Sequence, residues 1–218
     1  MAEYSTIKGF NVETLATDPV ATTLAGGTWA SGGNLNQART ELAGAGTQTA
    51  ALAFGGQVPP YSKLAETYDG STWTEVNDIA TARRMLGGAG TQTAALAFGG
   101  RDPGNNYSTY SEEYDGTSWA EGNNLPTGSS ENRGCGTQTA AISVGGYDGT
   151  ADAATKEYDG TCWSNGGNLG TARYSSGVAG TQTAAVCATG APAYSGETEI
   201  YDGTSWTSLG TILNTGRQ

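Results

Sequence analysis

Gly46-Thr47-Gln48-Thr49-Ala50-Ala51-Leu52-Ala53-Phe54-Gly55-Gly56 decides the fold, because the chain keeps returning to it. The phrase Gly-Thr-Gln-Thr-Ala-Ala starts again at Gly90, Gly136 and Gly180. Each copy is followed by an apolar run ending in Gly-Gly or Thr-Gly, then by Tyr-Asp-Gly and Trp. The tryptophans fall at 29, 73, 119, 163 and 206, in steps of 44, 46, 44 and 43 residues. A period in the forties with several short apolar runs per unit predicts radially repeated, four-stranded sheets.

The unit spanning 39–82 shows how. Leu42-Ala43-Gly44-Ala45 and Ala50-Ala51-Leu52-Ala53-Phe54 read as two strands joined by a tight turn, the second apolar throughout and so buried on both faces. Its alanines let neighbouring sheets approach closely. After an irregular stretch at 57–65, Glu66-Thr67-Tyr68 reads as a third strand and Thr72-Trp73-Thr74 as a fourth. Asp69-Gly70 between them is a hairpin turn in which both residues are expected to take positive φ. The turn recurs as Asp115-Gly116, Asp159-Gly160 and Asp202-Gly203. Each unit ends in a linker carrying Ala-Arg, at Arg39, Arg83 and Arg173, with Gly128-Ser129 in the third copy. These arginines are expected to be hydrogen-bonding struts between units.

Composition agrees. The chain has 218 residues, 35 of them Gly, with 36% hydrophobic and 14% charged side chains, which suits turns and strands and disfavours long helices. No stretch reaches the length of a membrane span, and the first residues lack the apolar run of a secretory signal. A net charge of −11 speaks against nucleic acid or an anionic membrane as partner, since both need a cationic surface. Cys135, Cys162 and Cys187 stand where other copies have Ala, Ser or Thr, so they read as packing residues and not as a disulfide or metal framework. With no His, a zinc or copper site has no ligand set, and no cofactor is expected. Asp148 and Asp152 in one loop are a weak Ca²⁺ pattern, short of a full ligand set.

The order of strand, Gly-Gly strand, Tyr-Asp strand and Trp strand resembles the kelch repeat of β-propellers over residues 27–213. The matching residues are Gly55-Gly56, Gly99-Gly100 and Gly145-Gly146, the Tyr-Asp pairs and the tryptophans; Thr189-Gly190 departs from the pattern. The resemblance implies an all-β, kelch-like β-propeller in which diglycine ends the second strand and Tyr and Trp pack between blades. The repeated Gly-Thr-Gln-Thr-Ala-Ala, with Ile7-Lys8-Gly9-Phe10 and Asp18-Pro19, is similar to the kelch-like repeat proteins of tailed, chiefly marine, bacteriophages. That likeness implies a location on the virion. Four repeats are complete, and 1–26 is expected to contribute to a degenerate N-terminal blade ahead of a propeller at 27–218, giving five blades. Closure by four blades and a spare strand, or pairing of exposed edges between chains, are the alternatives.

Strands are nearly copied between units, whereas the loop between second and third strands differs each time, at 57–65, 101–111, 147–155 and 191–196. Divergent loops on a copied scaffold are what a recognition surface looks like. Their candidate ligand-binding residues are Tyr61, Arg101, Asp102, Asn105, Asn106, Tyr107, Tyr110, Tyr147, Asp148 and Tyr194: tyrosines to stack on sugar rings, polar groups to bond hydroxyls. The alternative is drift toward residues that suit turns. The copied Gln48 and its equivalents read as a duplicated turn, and Glu66, Glu112 and Glu199, with Lys156 at the same place, as a solvated face of the third strand or a weakly stabilising inter-strand pair. The Tyr-Asp-Gly phrase resembles the Asp-box of sialidases with different spacing, and no carboxylate pair breaks the repeat as a glycosidase's would. The expected function is therefore non-enzymatic: a virion-associated module binding a host-surface glycan or protein receptor. A structural fibre or decoration subunit, contacting other virion proteins or its own copies, is the second reading.

Overall fold

In the computed structural model, residues 30–193 and 196–211 are described, and they form sixteen strands in four antiparallel sheets with no helix. The expected N-terminal blade and Tyr194 lie outside the described residues. Sheet 1 contains β1 (Ala43–Thr47), β2 (Ala50–Phe54), β3 (Ala65–Tyr68) and β4 (Trp73–Val76). Sheet 2 contains β5 (Gly87–Gly90), β6 (Ala95–Phe98), β7 (Ser111–Tyr114) and β8 (Trp119–Glu121). Sheet 3 contains β9 (Arg133–Thr137), β10 (Ala140–Tyr147), β11 (Ala151–Tyr158) and β12 (Trp163–Asn165). Sheet 4 contains β13 (Gly177–Thr181), β14 (Ala184–Ala188), β15 (Glu197–Tyr201) and β16 (Trp206–Thr211). All belong to the unit Gly32–Gln218, which is distinct from Met1–Ser31. Each sheet follows chain order, and the first strands pack in succession, β1 on β5, β5 on β9 and β9 on β13.

The first hairpin depends on a glycine that the repeat copies. Thr47 pairs with Ala50, leaving Gln48-Thr49 as the loop. Gly46 just before it has φ of 105°, and a Cβ there would lie 2.2 Å from the Ala50 carbonyl oxygen. The second hairpin differs from expectation. Tyr68 pairs with Trp73, so the loop has four residues, and only the glycine, Gly70, has positive φ. Asp69 serves through its carboxylate, which accepts from the Ser71 and Thr72 amides at 2.8 Å each, and these bonds hold its pKa below the ordinary value. In sheet 3 the stretch 147–155 is also more regular than a loop: β10 and β11 continue through it, with a register shift between Val144 and Gly146 and a turn at 148–150.

Between successive sheets lies an apolar cluster. Phe54 of sheet 1 meets Trp119 of sheet 2 edge-on at 5.0 Å, and Phe98 of sheet 2 meets Trp163 of sheet 3 at 5.1 Å. Each Trp also leans on the Tyr opposite it, as in Tyr114–Trp119 at 5.0 Å and Tyr158–Trp163 at 5.0 Å. The indole N–H donates backward: Trp163 to the Ser111 hydroxyl at 2.7 Å, Trp206 to the Thr155 hydroxyl at 2.8 Å. Sheet 1 has Ala65 at the equivalent place, opposite Phe54, and the buried Trp119 indole N–H has no hydrogen-bond partner among the described residues. Ala65→Ser is therefore expected to raise stability by about 0.5–1.5 kcal/mol, the net value of one such bond. A thermal midpoint that stays put or falls would show that the indole gains nothing from a hydroxyl there.

The Gln of each first hairpin is more than a copied turn. Gln92 donates to the Tyr68 and Ala51 carbonyls at 2.7 and 3.3 Å, Gln138 to Tyr114 and Ala95 at 2.7 and 3.1 Å, and Gln182 to Tyr158 and Ala141 at 2.7 and 3.2 Å. One amide thus ties each of sheets 2, 3 and 4 to two strands of the sheet before it. The third-strand glutamates are a correction as well. Glu66, Glu112 and Glu199 are buried, not solvated, and ion-paired to Arg39, Arg83 and Arg173 at 2.8, 2.7 and 2.5 Å. Their second oxygens accept the amides of Asn36, Ala80 and Gly170 at 2.7, 2.6 and 2.7 Å. Each arginine also bonds carbonyls at the two ends of the loop between second and third strands; for Arg83 these are Gly99 and Tyr110, at 2.9 and 2.8 Å. The struts therefore fix the linkers, and with them the variable loops.

Candidate functional site

The site is built on main chain. The residue after each linker Arg or Ser129 pairs with the residue after the paired-glycine position: Thr40 with Gln57, Arg84 with Arg101, Ser130 with Tyr147, Tyr174 with Ala191. The next residue in each linker, Glu41, Met85, Glu131 and Ser175, has φ between 51° and 56°, the left-handed region that non-glycine residues avoid. Repeated four times, this strain marks a constrained place. What holds it is a run of amide bonds from sheet to sheet. Met85 N–H donates to the Glu41 carbonyl at 2.8 Å, Glu131 N–H to Met85 at 2.8 Å, and Ser175 N–H to Glu131 at 2.9 Å. The result is a backbone belt crossing all four sheets.

On this belt the side chains diverge. Arg84 is ion-paired to Glu41 at 2.8 Å and lies 5.3 Å from the centre of the Tyr61 ring; the Glu41 bond raises its pKa. Arg101 stacks 4.5 Å above the Tyr107 ring and donates to the Tyr107 hydroxyl at 2.8 Å and to the Asn105 amide oxygen at 2.7 Å. Tyr107 meets Tyr147 edge-on at 5.9 Å, and Tyr147 meets Tyr174 edge-on at 5.2 Å. A cation and three aromatic rings thus form one continuous strip over sheets 2, 3 and 4. All four side chains are half-buried, which leaves surface for a ligand. The strip can stack against flat or apolar faces and offer hydroxyl and guanidinium hydrogen bonds beside them.

Of the residues expected from sequence, Arg101, Asn105, Tyr107 and Tyr147 are brought together in this strip, and Tyr61 stands beside Arg84 on the same belt. Asp102 and Asn106 are turned to each other: the Asp102 carboxylate accepts the Asn106 amide at 2.9 Å and its side-chain nitrogen at 3.0 Å. Burial opposes the charge of Asp102, but these donors outweigh it and lower the pKa. Asp148 caps its own turn by accepting the Thr150 amide at 3.2 Å, while Asp152 accepts from Ala154 and pairs with Lys156. The two carboxylates of the weak Ca²⁺ pattern are thus engaged separately. Tyr110 lines a different cleft of about 210 Å³ with Ala80, Thr81, Glu112 and Glu121. Arg84, Glu41 and Tyr174 were missed; for Arg84 and Tyr174 a variation existed, beside a copied arginine that masked it. Thr40, Arg84, Ser130 and Tyr174 differ in every copy, next to a position that is Arg in three copies of four.

Compared with known proteins, the sequence matches no protein-family model, and no curated protein matches it.

Proposed function

We propose that the chain is a non-enzymatic, virion-associated binding module that takes a host-surface glycan or protein receptor on the belt side. The observation that carries this reading is the strip of Arg101, Tyr107, Tyr147 and Tyr174, a cation and three rings set at positions where the copied scaffold varies. The virion assignment rests on the sequence resemblance to phage repeat proteins. The test is a double substitution, Tyr107→Ala with Tyr147→Ala, assayed on a glycan array and against whole host cells. Binding is expected to fall about 10- to 100-fold, the value of losing two stacking rings, with the thermal midpoint within a few degrees. Undiminished binding by a folded double variant would sink the assignment.

The finer architecture we infer is a kelch-like propeller with a fifth, degenerate blade supplied from the N-terminal segment. Support comes from the described residues that follow that segment. Gly32 approaches the Tyr68 hydroxyl as Gly122 and Gly166 approach those of Tyr158 and Tyr201, and the Asn36 amide bonds Glu66 as Ala80 bonds Glu112. Residues 32–36 thus repeat the contacts made by the end of a preceding blade. One observation favours the second reading, a structural subunit. On sheet 4, Val186, Ile200 and Leu209 are 37%, 42% and 46% exposed, a face that an adjacent blade or another copy would cover. Sedimentation equilibrium separates the two: a monomer supports closure within one chain, and a regular oligomer that binds no receptor supports assembly.

A further inference from the structure

The chain has 21 acidic and 10 basic side chains, so an arginine without a carboxylate partner goes against its composition. Arg39, Arg83, Arg84 and Arg173 are all in ion pairs. Arg133 is not, but it is folded back onto the Asn132 carbonyl at 3.3 Å, with Glu131 supplying a nearby opposite charge. Arg101 differs from all of these. It is half-exposed, and among the described residues no carboxylate lies within ion-pair distance of it. The nearest in sequence, Asp102, is engaged by Asn106.

The guanidinium of Arg101 is nevertheless held firmly, by the Tyr107 ring and by bonds to Asn105 and the Tyr107 hydroxyl. Those bonds use two of its five N–H groups and leave three. A fixed planar fork with free donors and an uncompensated charge is preorganised for a carboxylate, since little further side-chain entropy is lost when one binds. The tyrosine strip begins at that fork. Among the described belt residues Met85 and Ala191 are the aliphatic ones, few for a pocket of the kind that anchors a peptide side chain. Its rings and hydroxyls suit sugar instead.

We propose that the belt takes an acidic glycan: Arg101 grips the carboxylate of one sugar in a two-pronged bond, and the adjoining sugars run along Tyr107, Tyr147 and Tyr174. This rests on the binding reading above and names its ligand class. The net charge of −11 opposes long polyanions beyond a Debye length of about 8–10 Å, so the fit is to short acidic oligosaccharides and not to nucleic acid.

The test uses the full chain on an array of uronic-acid and sialic-acid oligosaccharides, each printed beside its methyl ester, with neutral glycans and acidic peptides as further arms. The two acid classes distinguish the source of the carboxylate. At least one acid is expected to bind about tenfold or more above its ester, the value of a charge-assisted pair. Arg101→Gln should bring the acid-to-ester ratio to about one, whatever the loss in overall affinity; Arg101→Lys, which keeps the charge without the fork, should retain only part of the preference. Esterification alters only the ligand, so the readout holds even if a variant folds poorly. Equal binding of acids and esters, or of neutral glycans alone, would overturn the carboxylate anchor and leave the binding reading standing. Preference for an acidic peptide would overturn the glycan assignment. Binding to nothing on the array or on cells would remove both.

Discussion

Arg83→Met is expected to cost about 3–5 kcal/mol, because it leaves the Glu112 carboxylate buried without its counter-ion. Arg83 is fully buried and Glu112 nearly so, with 2.7 Å between Nη2 and Oε1. The same guanidinium satisfies the carbonyls of Gly99 and Tyr110, so two acceptors lose a donor as well. Burial lowers the pKa of Arg83, which shows the direction of the desolvation that Glu112 offsets. For a domain of this size the loss corresponds to a fall in thermal midpoint of roughly 6–20 °C. Adding Glu112→Gln should restore part of the stability, since no unpaired charge then remains buried; Gln can still accept the Ala80 amide. A single variant within 1 kcal/mol of the parent in urea unfolding would show that the strut is not what holds the linker. Sheet 3 already carries a version of this double change. Ser129 stands at the arginine place and Lys156 at the glutamate place, and Lys156 is paired to Asp152 at 3.5 Å. The chain alters the strut only where it alters both partners.

That comparison explains which parts of the structure were legible in the sequence. Strand order, sheet number and the Tyr–Trp pairing repeat with the period, so sixteen strands follow from reading one unit four times. Glu66 was misread because an acidic residue in an alternating strand ordinarily faces water. Its partner, Arg39, is 27 residues away in a linker, and no local pattern links the two. Gln92 was misread for a related reason: its acceptors are main-chain carbonyls of the preceding sheet, which have no identity in sequence. Asp69 was recognised as a turn residue, but the turn holds through its carboxylate and not through its backbone angle.

The candidate site was half legible. Divergence among the loops pointed to Arg101, Tyr107 and Tyr147, but Tyr174 and Arg84 belong to linkers, where the copied Arg beside them masked the variation. The left-handed residues at 41, 85, 131 and 175 were hidden as well. Glu, Met and Ser carry no signal for positive φ, and only the sheet-to-sheet amide bonds impose it. The conserved repeat therefore does two separate jobs. Its arginine struts fix the loops from below, and its backbone belt lines up the few positions that are free to differ.

Phe98→Ala is the other change expected to have a large effect, about 3–5 kcal/mol, through loss of buried area and the cavity left between sheets 2 and 3. Phe98 is fully buried, packs edge-on against Trp163 and shares a buried cluster with Leu125, Ala141 and Tyr158. Glycines at 87 and 134 give it room: a Cβ on either would lie 2.2 and 2.4 Å from the ring. Those backbones cannot collapse into the space without breaking the register of β5 and β9, so the cavity should persist rather than close. The equivalent residues are Phe54, Val144 and Ala188, a series that loses bulk along the chain. Val144→Ala should accordingly cost less, about 1–2.5 kcal/mol, because fewer methyl groups leave the same kind of site. Chemical unfolding of both variants measures the two costs on one scale. If Phe98→Ala proves no worse than Val144→Ala, the rings do not carry the contact between sheets, and cohesion must be credited to the Gln92 and Gln138 amides and the strands they clamp.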